Sequence, residues 1–571
     1  MWCKYCRIET SESVCPICSN NTEEDIPTEV YWCEYCNIPV IQTITQADKG
    51  ICPRCGHTMK YLSSDVRPVF PEERLLLELL LEKEPLSLHK QSVWASNNRY
   101  YIDGKCVTIS NSIYDHERAE VLSREISQYQ KENSYEFFEK TISKFKEANI
   151  TRLNFLKEEA FSFIQKASQK FPEENIVISF SGGKDSTVTA DLVTKALSNP
   201  SIVHIFGNTT LEFPSTTEYA ARYRENHPHA IFQTALNREQ KFLDVCKDIG
   251  PPARMMRWCC SMFKTGPITR IINNLYRNQQ ILTFYGIRKN ESVARSKYNR
   301  IEDNAESVKI QQQTVASPIF FWKDIDIWLY ILAEEIDFNQ AYRLGYDRVG
   351  CWCCPNNSTR SQFLSQIYMP EQSKQWREFL IKFAKEIGKP DPEVYVDSEK
   401  WKARQGGNGL SSANDVKIRF TNCTSEEHAK IYQLVRPFDD MLVGLFTPFG
   451  QLAPELGQKL LNEVIVLDVK TKVPILSIMP FRQEGYGHAV KIKTINVADH
   501  DSLQRMAGYQ VKKFNACRKC LKCESLCRAG AISIIGDYYY INPQKCVHCK
   551  MCVTSKYLDG GCTMDKYLRT K

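Results

Sequence analysis

Residues 179–187 read Ser179-Phe180-Ser181-Gly182-Gly183-Lys184-Asp185-Ser186-Thr187. An apolar run, "NIVI", leads into them and "VTADLVTKAL" follows. The first reads as a strand and the second as a helix, so the glycines fall in the turn between. A strand that ends in a Gly-rich turn and opens a helix aims backbone N–H groups and the helix dipole at one spot, which suits phosphate. Asp185 and Ser186 suit the helix start, and Lys184 can neutralise phosphate charge. The Walker pattern, G-x-x-x-x-G-K-[ST], is not met.

Around this turn, residues 173–400 alternate short apolar strands ("NIVISF", "SIVHIFG", "ILTFYGI") with longer helical patterns. That alternation predicts an α/β fold, a doubly wound parallel sheet with helices on both faces. A helical stretch over about 131–171 leads into the loop.

The chain of 571 residues exceeds one core, so several domains are expected. No long apolar window and no charged-then-apolar amino terminus occur, which predicts a cytoplasmic chain with no membrane partner. Twenty-four cysteines are the unusual quantity. Their two-residue gaps beside a phosphate turn point to metal in a reducing compartment rather than to disulfides. The formal charge is +7. A zinc or a four-iron cluster held by four thiolates carries about −2, so the loaded chain would be near neutral. Net charge therefore says little about partners.

Residues 1–62 repeat one pattern, "WCKYC…CPIC" then "WCEYC…CPRCG". Cys3, Cys6, Cys15 and Cys18, then Cys33, Cys36, Cys52 and Cys55, form two sets of paired knuckles suited to structural zinc. Iron in a similar tetrathiolate site is the rival. Segments this short need metal to fold. Residues 66–130 combine an amphipathic helix ("PEERLLLELLLEKE") with a strand-like piece, and Cys106 reads there as a small buried hydrophobe. Residues 401–500 read as a small mixed α/β region. Residues 505–571 hold "CRKCLKCESLC" and "CVHCKMC", giving Cys517, Cys520, Cys523, Cys527, Cys546, Cys549 and Cys552, with Cys562 after a longer gap. The basic surplus of this segment reads as a solvated face.

SGGKDS resembles the PP-loop of the ATP pyrophosphatase and phosphoadenosine phosphosulfate (PAPS) reductase superfamily. "NTTLEFPSTTEY" (208–219) is similar to the family's TG-x-E-x-P-E-T segment, with Thr210 where glycine is usual. "RWCC" (257–260) with Lys264 and Pro267, "GIRKNESVAR" (286–295), "PIFFWKDIDIWLYI" and "GYDRVGCWCCP" resemble further family segments, over about 140–365. The resemblance implies an adenine-nucleotide-binding domain over 131–400, with Ser181, Gly182, Gly183, Asp185, Ser186 and Thr187 as phosphate cradle. It implies that Lys184, Asp185, Arg288 and Arg295 act on phosphate or sulfate oxygens. Thr209 belongs with the nucleotide, and Glu212 and Glu291 hold the arginines or a magnesium ion.

Adenylylsulfate (APS) reductases of this family hold a four-iron cluster with an adjacent cysteine pair and a later CxxC. Cys259, Cys260, Cys351 and Cys354 match that set, with Cys353 as spare. Zinc and plain buried thiols are the alternatives. The carboxy-terminal runs resemble a bacterial two-cluster ferredoxin, in which the fourth cysteine of each run serves the other 4Fe-4S cluster. The reductases attack sulfur with a cysteine in an ECGLH-like motif, and "EGYGH" (484–488) has none. The expectation is thus a PP-loop enzyme of sulfur transfer that uses ATP. The alternatives are an APS or PAPS reductase fed by its ferredoxin part, and a nucleic-acid component docked by its ribbons. Expected partners are the nucleotide, an electron or sulfur donor protein, and RNA or DNA.

Overall fold

The structure, a computed structural model, describes residues 2–10, 12–129, 134–276, 279–293, 295–303, 313–555 and 558–570. Its central element is a six-stranded sheet in the order Ile231–Leu236, Val203–Asn208, Ile176–Phe180, Ile281–Tyr285, Gln313–Ala316, Ile301–Glu302. The first five strands are parallel. Side-chain alternation along Ile176–Phe180 feeds both faces. Ile176, Ile178 and Phe180 join the large core with Val188 and Leu192 of the loop helix, Lys184–Leu197. Val177 joins Ile205, Ile272 and Ile281 on the other face. Burial on both faces is what apolar strands without polar alternation require.

One expectation is corrected. The sheet is mixed, because Ile301–Glu302 pairs antiparallel with Gln313–Ala316. Antiparallel pairing of this kind sits readily at the edge of an otherwise parallel sheet.

The strand order places the loop. From Ile176–Phe180 the chain moves outward through Val203–Asn208 to Ile231–Leu236, then returns to the opposite side with Ile281–Tyr285. The order therefore reverses between Ile176–Phe180 and Ile281–Tyr285, and the crevice beyond the carboxyl ends of two such strands is where open α/β sheets bind ligands. Both ends carry sequence motifs, Ser181–Ser186 on one and Gly286–Arg288 on the other.

Beyond it the described residues form five further sheets, three of them with three strands or more. Thr28–Cys33, Ile38–Thr43 and Lys60–Ser63 form the second cysteine ribbon. Arg67–Pro68, Val93–Ser96, Arg99–Ile102 and Lys105–Thr108 make an antiparallel sheet beside helix Pro71–Leu80. Cys106 sits on its outer strand and is exposed, contrary to the buried role read from sequence. An edge strand leaves one side in water, and Cys106 falls on that side. Residues 420–494 form a six-stranded antiparallel sheet, backed by helix His500–Ala516 through Leu434, Val490, Leu503 and Val511. Among the described residues no helix is long and apolar enough to cross a membrane.

Candidate active site and metal centres

The loop is held by its own hydroxyls. Ser186 Oγ accepts from the Ser181 N–H at 3.1 Å and donates to the Gly183 carbonyl at 2.8 Å. Thr187 is fully buried, and its hydroxyl meets the Gly183 carbonyl at 3.1 Å and the Tyr219 hydroxyl at 2.9 Å. These two residues shape the cradle from inside. Gly182 has a φ of +70°, and a Cβ there would lie 2.9 Å from Thr216. Gly286, at the end of the neighbouring strand, presses on the loop helix; a Cβ there would come within 2.6 Å of the Asp185 backbone.

Four charged side chains meet at this point. Lys184 is buried, with Nζ 3.4 Å from Asp185 Oδ2 and 3.1 Å from Asp324 Oδ1. Arg288, also buried, sets Nε 2.6 Å from Asp185 Oδ1 and its terminal nitrogen 2.9 Å from Asp324 Oδ1. The Nε contact is an ion pair rather than an aligned hydrogen bond. Burial raises the Asp185 carboxyl, but Arg288 and Lys184 outweigh it and hold Asp185 below the usual carboxylate range. Asp324 is held low against the same burial by Lys184 and Arg288. Lys184 and Arg288 are correspondingly held charged, the two carboxylates outweighing burial. The site is thus a two-plus, two-minus cluster with the cations fixed.

Asp324 was quoted within its motif but not singled out as a site residue, and Asp65 was missed altogether. The Asp65 carboxylate accepts the N–H groups of Asp324 at 2.9 Å and of Ile325 at 3.1 Å, capping helix Asp324–Ala333 from the end of the second ribbon. A second missed network is buried at Arg67, Glu73 and Arg360 and reaches the surface at Asp347. Arg67 and Arg360 clamp Glu73 at 2.6 and 2.7 Å and Asp347 at 2.8 and 3.1 Å. The Asp347 carbonyl accepts from Lys184 Nζ at 3.4 Å, so this network reaches the loop.

The other predicted residues lie further along the crevice. Glu291 pairs with Arg295 and lies 3.6 Å from Arg348. Glu212 folds back on Thr209, taking its N–H at 3.0 Å and its hydroxyl at 2.7 Å. Thr210, in the position where the family has glycine, has a φ of +64°, the left-handed region that glycine favours. The Thr209 hydroxyl is 3.4 Å from Cys351 Sγ, and Glu212 bridges to Cys351 through the backbone. The crevice therefore has the phosphate loop on one wall and Cys351 on the other.

Residues 175–357 match the phosphoadenosine phosphosulfate reductase domain. An uncharacterised protein of Methanocaldococcus jannaschii is 32% identical over 230 residues, which cover 40% of this chain and 46% of that protein. The match thus spans about half the length of that relative. The adenosine 5′-phosphosulfate reductase of Lysinibacillus sphaericus is 25% identical over 184 residues, 31% of this chain and 72% of the reductase. The solved PAPS reductase of Candida auris, a phosphate complex, has a TM-score of 0.28 and 17% identity, covering 35% of this chain and 95% of its own.

Within the matched residues 175–357, Cys259 and Cys260 contact one another, with Cys351 and Cys354 in their electrostatic reach. The Cys259 thiol and then the Arg257 guanidinium push Cys260 down to about 5, while burial pushes Cys351 up to about 12. Arg257 donates to Cys260 Sγ at 3.4 Å. Cys353 is buried beside them, in an apolar cluster with Trp258 and Cys246 against which Cys259 and Cys351 also pack.

Outside residues 175–357 all the cysteines but Cys106 and Cys423 gather in quartets. In each ribbon the four sulfurs lie within 4.8 Å of one another, a spacing that suits one tetrahedral ion. The knuckle amides of Cys6 and Cys36 point at Cys3 and Cys33 Sγ, both at 3.4 Å. At the carboxy terminus Cys517, Cys520 and Cys523 share their surroundings with Cys562, while Cys527 faces Cys546 and Cys552. Cys527, Cys546, Cys549 and Cys552 line one cavity. The fourth cysteine of each run therefore sits with the other run. Lys513 is buried between the quartets, its Nζ on the Cys552 carbonyl.

Proposed function

We propose that this chain is a PP-loop enzyme that binds an adenine nucleotide, ATP in preference to a phosphosulfate, and activates a substrate for sulfur transfer. The observation that carries the reading is the Lys184–Asp185–Arg288–Asp324 cluster at the point where the strand order reverses. The loop helix and the two fixed cations supply the charge complement of a triphosphate. Asp185 and Asp324 face the same guanidinium and offer hard oxygen donors that fit a magnesium ion. Bound there, the ion would offset charge on departing pyrophosphate.

The preference for ATP follows from the thiols. Reduction of a phosphosulfate needs a thiolate nucleophile within reach of sulfur. Outside the five quartets the cysteines are Cys106, Cys246, Cys353 and Cys423. Cys246 and Cys353 are buried in an apolar cluster, and Cys106 and Cys423 sit beside other sheets. In the ATP reaction a substrate oxygen attacks the α-phosphorus, the bond to the β,γ-pyrophosphate breaks, and sulfur then displaces AMP from the activated carbon. Lys184 and Arg288 hold the phosphates in line, and the loop keeps its shape through Ser186 and Thr187.

The four central cysteines and the two carboxy-terminal quartets fit iron–sulfur ligation, since buried thiolates at this density need metal to offset their charge. The ribbon quartets fit zinc. The resemblance to adenosine 5′-phosphosulfate reductases favours a second reading, in which the same cradle holds APS or PAPS. The test is product analysis with anaerobically reconstituted protein, given ATP, APS and PAPS in turn with a range of acceptors. Pyrophosphate and AMP from ATP are expected. Sulfite from APS or PAPS, with ATP intact, would overturn the ATP reading in favour of reduction.

A further inference from the structure

One side chain at the phosphate loop comes from outside it and has a hydrogen bond still to give. The first N–H groups of a helix point out of its N-terminal end, and the Lys184 N–H, which opens the loop helix, donates to the Tyr342 hydroxyl at 3.1 Å. Tyr342 closes the single helical turn Gln340–Tyr342, on the way to Cys351. Its ring lies beside the Lys184 ammonium, with Nζ 5.2 Å from the ring centroid. A Cβ at Gly183 would be 3.2 Å from the hydroxyl and 3.5 Å from Ser181 Oγ. The phenol oxygen therefore stands at the end of the helix, against the glycines, where the amides aim.

A phenol can accept one hydrogen bond and donate another. Tyr342 spends its acceptor on Lys184, and among the described residues nothing takes its proton. The residue is only 4% exposed, and buried hydroxyls rarely leave a proton unmatched. Burial also keeps that proton in place, because it pushes the phenol up and outweighs the opposing Lys184 ammonium. The Lys184 N–H polarises the O–H that it meets, which strengthens the donor toward an anion.

The ring is held where it stands. Asn339 is fully buried and caps the turn by accepting the Ala341 N–H at 3.0 Å. Its amide donates to the Gly182 carbonyl at 3.3 Å and to the Thr216 hydroxyl at 2.8 Å, so the turn is fastened to the loop. The Trp328 indole meets the Tyr342 ring edge-on at 5.7 Å, within the main core.

We propose that Tyr342 is a phosphate-binding residue of the cradle, its phenol donating to an oxygen of the anion that the loop amides hold. This rests on the reading of the loop as a nucleotide site, and adds to it a neutral donor from outside the loop. Lys184 and Arg288 attract any anion by charge. A fixed phenol adds direction, so it favours an anion that places an oxygen against the Gly183–Lys184 backbone.

The experiment is calorimetric titration of the full chain with ATP, APS and inorganic pyrophosphate, for wild type and Tyr342→Phe. Phenylalanine keeps the ring against Trp328 and Lys184 and removes only the hydroxyl. Affinity for pyrophosphate and for the nucleotide is expected to fall by about ten- to a hundredfold, the usual worth of a hydrogen bond to a charged group. A second reading keeps the hydroxyl: with 3-fluorotyrosine at position 342, the fluorine resonance is expected to shift when pyrophosphate saturates the site. An unshifted resonance, or unchanged affinity in Tyr342→Phe, would overturn the proposal and leave the nucleotide reading standing. Tighter binding in Tyr342→Phe would also overturn it, by showing that the hydroxyl competes with phosphate for the Lys184 amide. A wild type that binds none of the three ligands would remove the nucleotide reading and the role of Tyr342 together.

Discussion

The Asp65 carboxylate takes the N–H of Asp324 at 2.9 Å, joining the end of the second ribbon to a helix 259 residues further along. Asp324 in turn holds Lys184 and Arg288. A residue between the ribbons and the next segment, to which the sequence gives no role, thus positions an anion that holds both cations at the loop.

The first prediction concerns the protonation of Asp65. Burial and then the neighbouring Asp324 push its carboxyl up to about 6. The folded state therefore holds this proton where the unfolded chain, near the ordinary carboxylate value, releases it. Asp65 contributes stability that is full below about pH 4 and lost as pH rises through about 6. Asp65→Asn should show the opposite trend relative to wild type, its relative stability rising by about 1–2 kcal/mol between those limits. Denaturant midpoints of both proteins from pH 4 to 8 check this. A pH-independent difference would remove Asp65 as a titrating group.

The second prediction concerns Gly286. A methyl group there would sit 2.6 Å from the Asp185 carbonyl carbon and 2.7 Å from the Ser186 nitrogen, both backbone atoms that cannot swing aside. Gly286→Ala should therefore cost about 1–3 kcal/mol of stability. Because the strain falls on the loop helix, ATP affinity should fall by at least about tenfold, some 1.4 kcal/mol. Calorimetric titration with ATP, beside a denaturation curve, separates the two effects. Loss of stability with full ATP affinity would show that the loop is not the binding element.

How much of this was legible in the sequence depends on the range of the contacts. The Ser181–Thr187 turn was readable because strand, glycines and helix start are adjacent, and local geometry decides them. The ribbon quartets were readable because each closes within a short segment. Asp65 and the Arg67–Glu73–Arg360 network were not, since each charged residue alone reads as a solvated surface group. Only the fold places Arg360 against Glu73, 287 positions away. Glu212 was given an arginine or a metal, but its nearest donors are the N–H and hydroxyl of Thr209, three residues back. The antiparallel edge strand escaped notice because Ile301–Glu302 is too short to show a period.

The third prediction concerns the ribbons. The described protein has four sulfurs within 4.8 Å in each, with Cys33 and Cys55 Sγ 3.5 Å apart. Cys52→Ser should remove about one of two bound zinc ions, with the first ribbon retained. Because Lys323 Nζ reaches the carbonyls of Thr28 and Ser64 in and after the second ribbon, the variant should also loosen the Asp324 helix. Metal analysis and amide exchange over residues 324–333 provide the two readings. Unchanged zinc in Cys52→Ser would exclude that residue as a ligand, and iron in its place would select the rival metal.

The last prediction concerns which cysteine belongs to which carboxy-terminal site. Sequence order would group Cys527 with Cys517, Cys520 and Cys523, whereas the fold sets Cys562 beside those three and Cys527 beside Cys546 and Cys552. The hairpin Ile532–Ile535 and Tyr538–Ile541 carries the chain from the first run to the second. Buried Lys513 lies between the two groups, and burial lowers its proton affinity less than the surrounding thiolates raise it. Cys562→Ser and Cys527→Ser should each remove about four irons, but from different sites. The first should empty the site of Cys517, Cys520 and Cys523, and the second the site of Cys546, Cys549 and Cys552. Lys513→Met removes a positive charge from between the sites, so both should become harder to reduce. Potentiometric titration followed by paramagnetic resonance distinguishes the variants. If Cys527→Ser instead emptied the site of Cys517, Cys520 and Cys523 and Cys562→Ser spared it, the quartets would follow sequence order, and the fold's exchange of fourth ligands would be wrong.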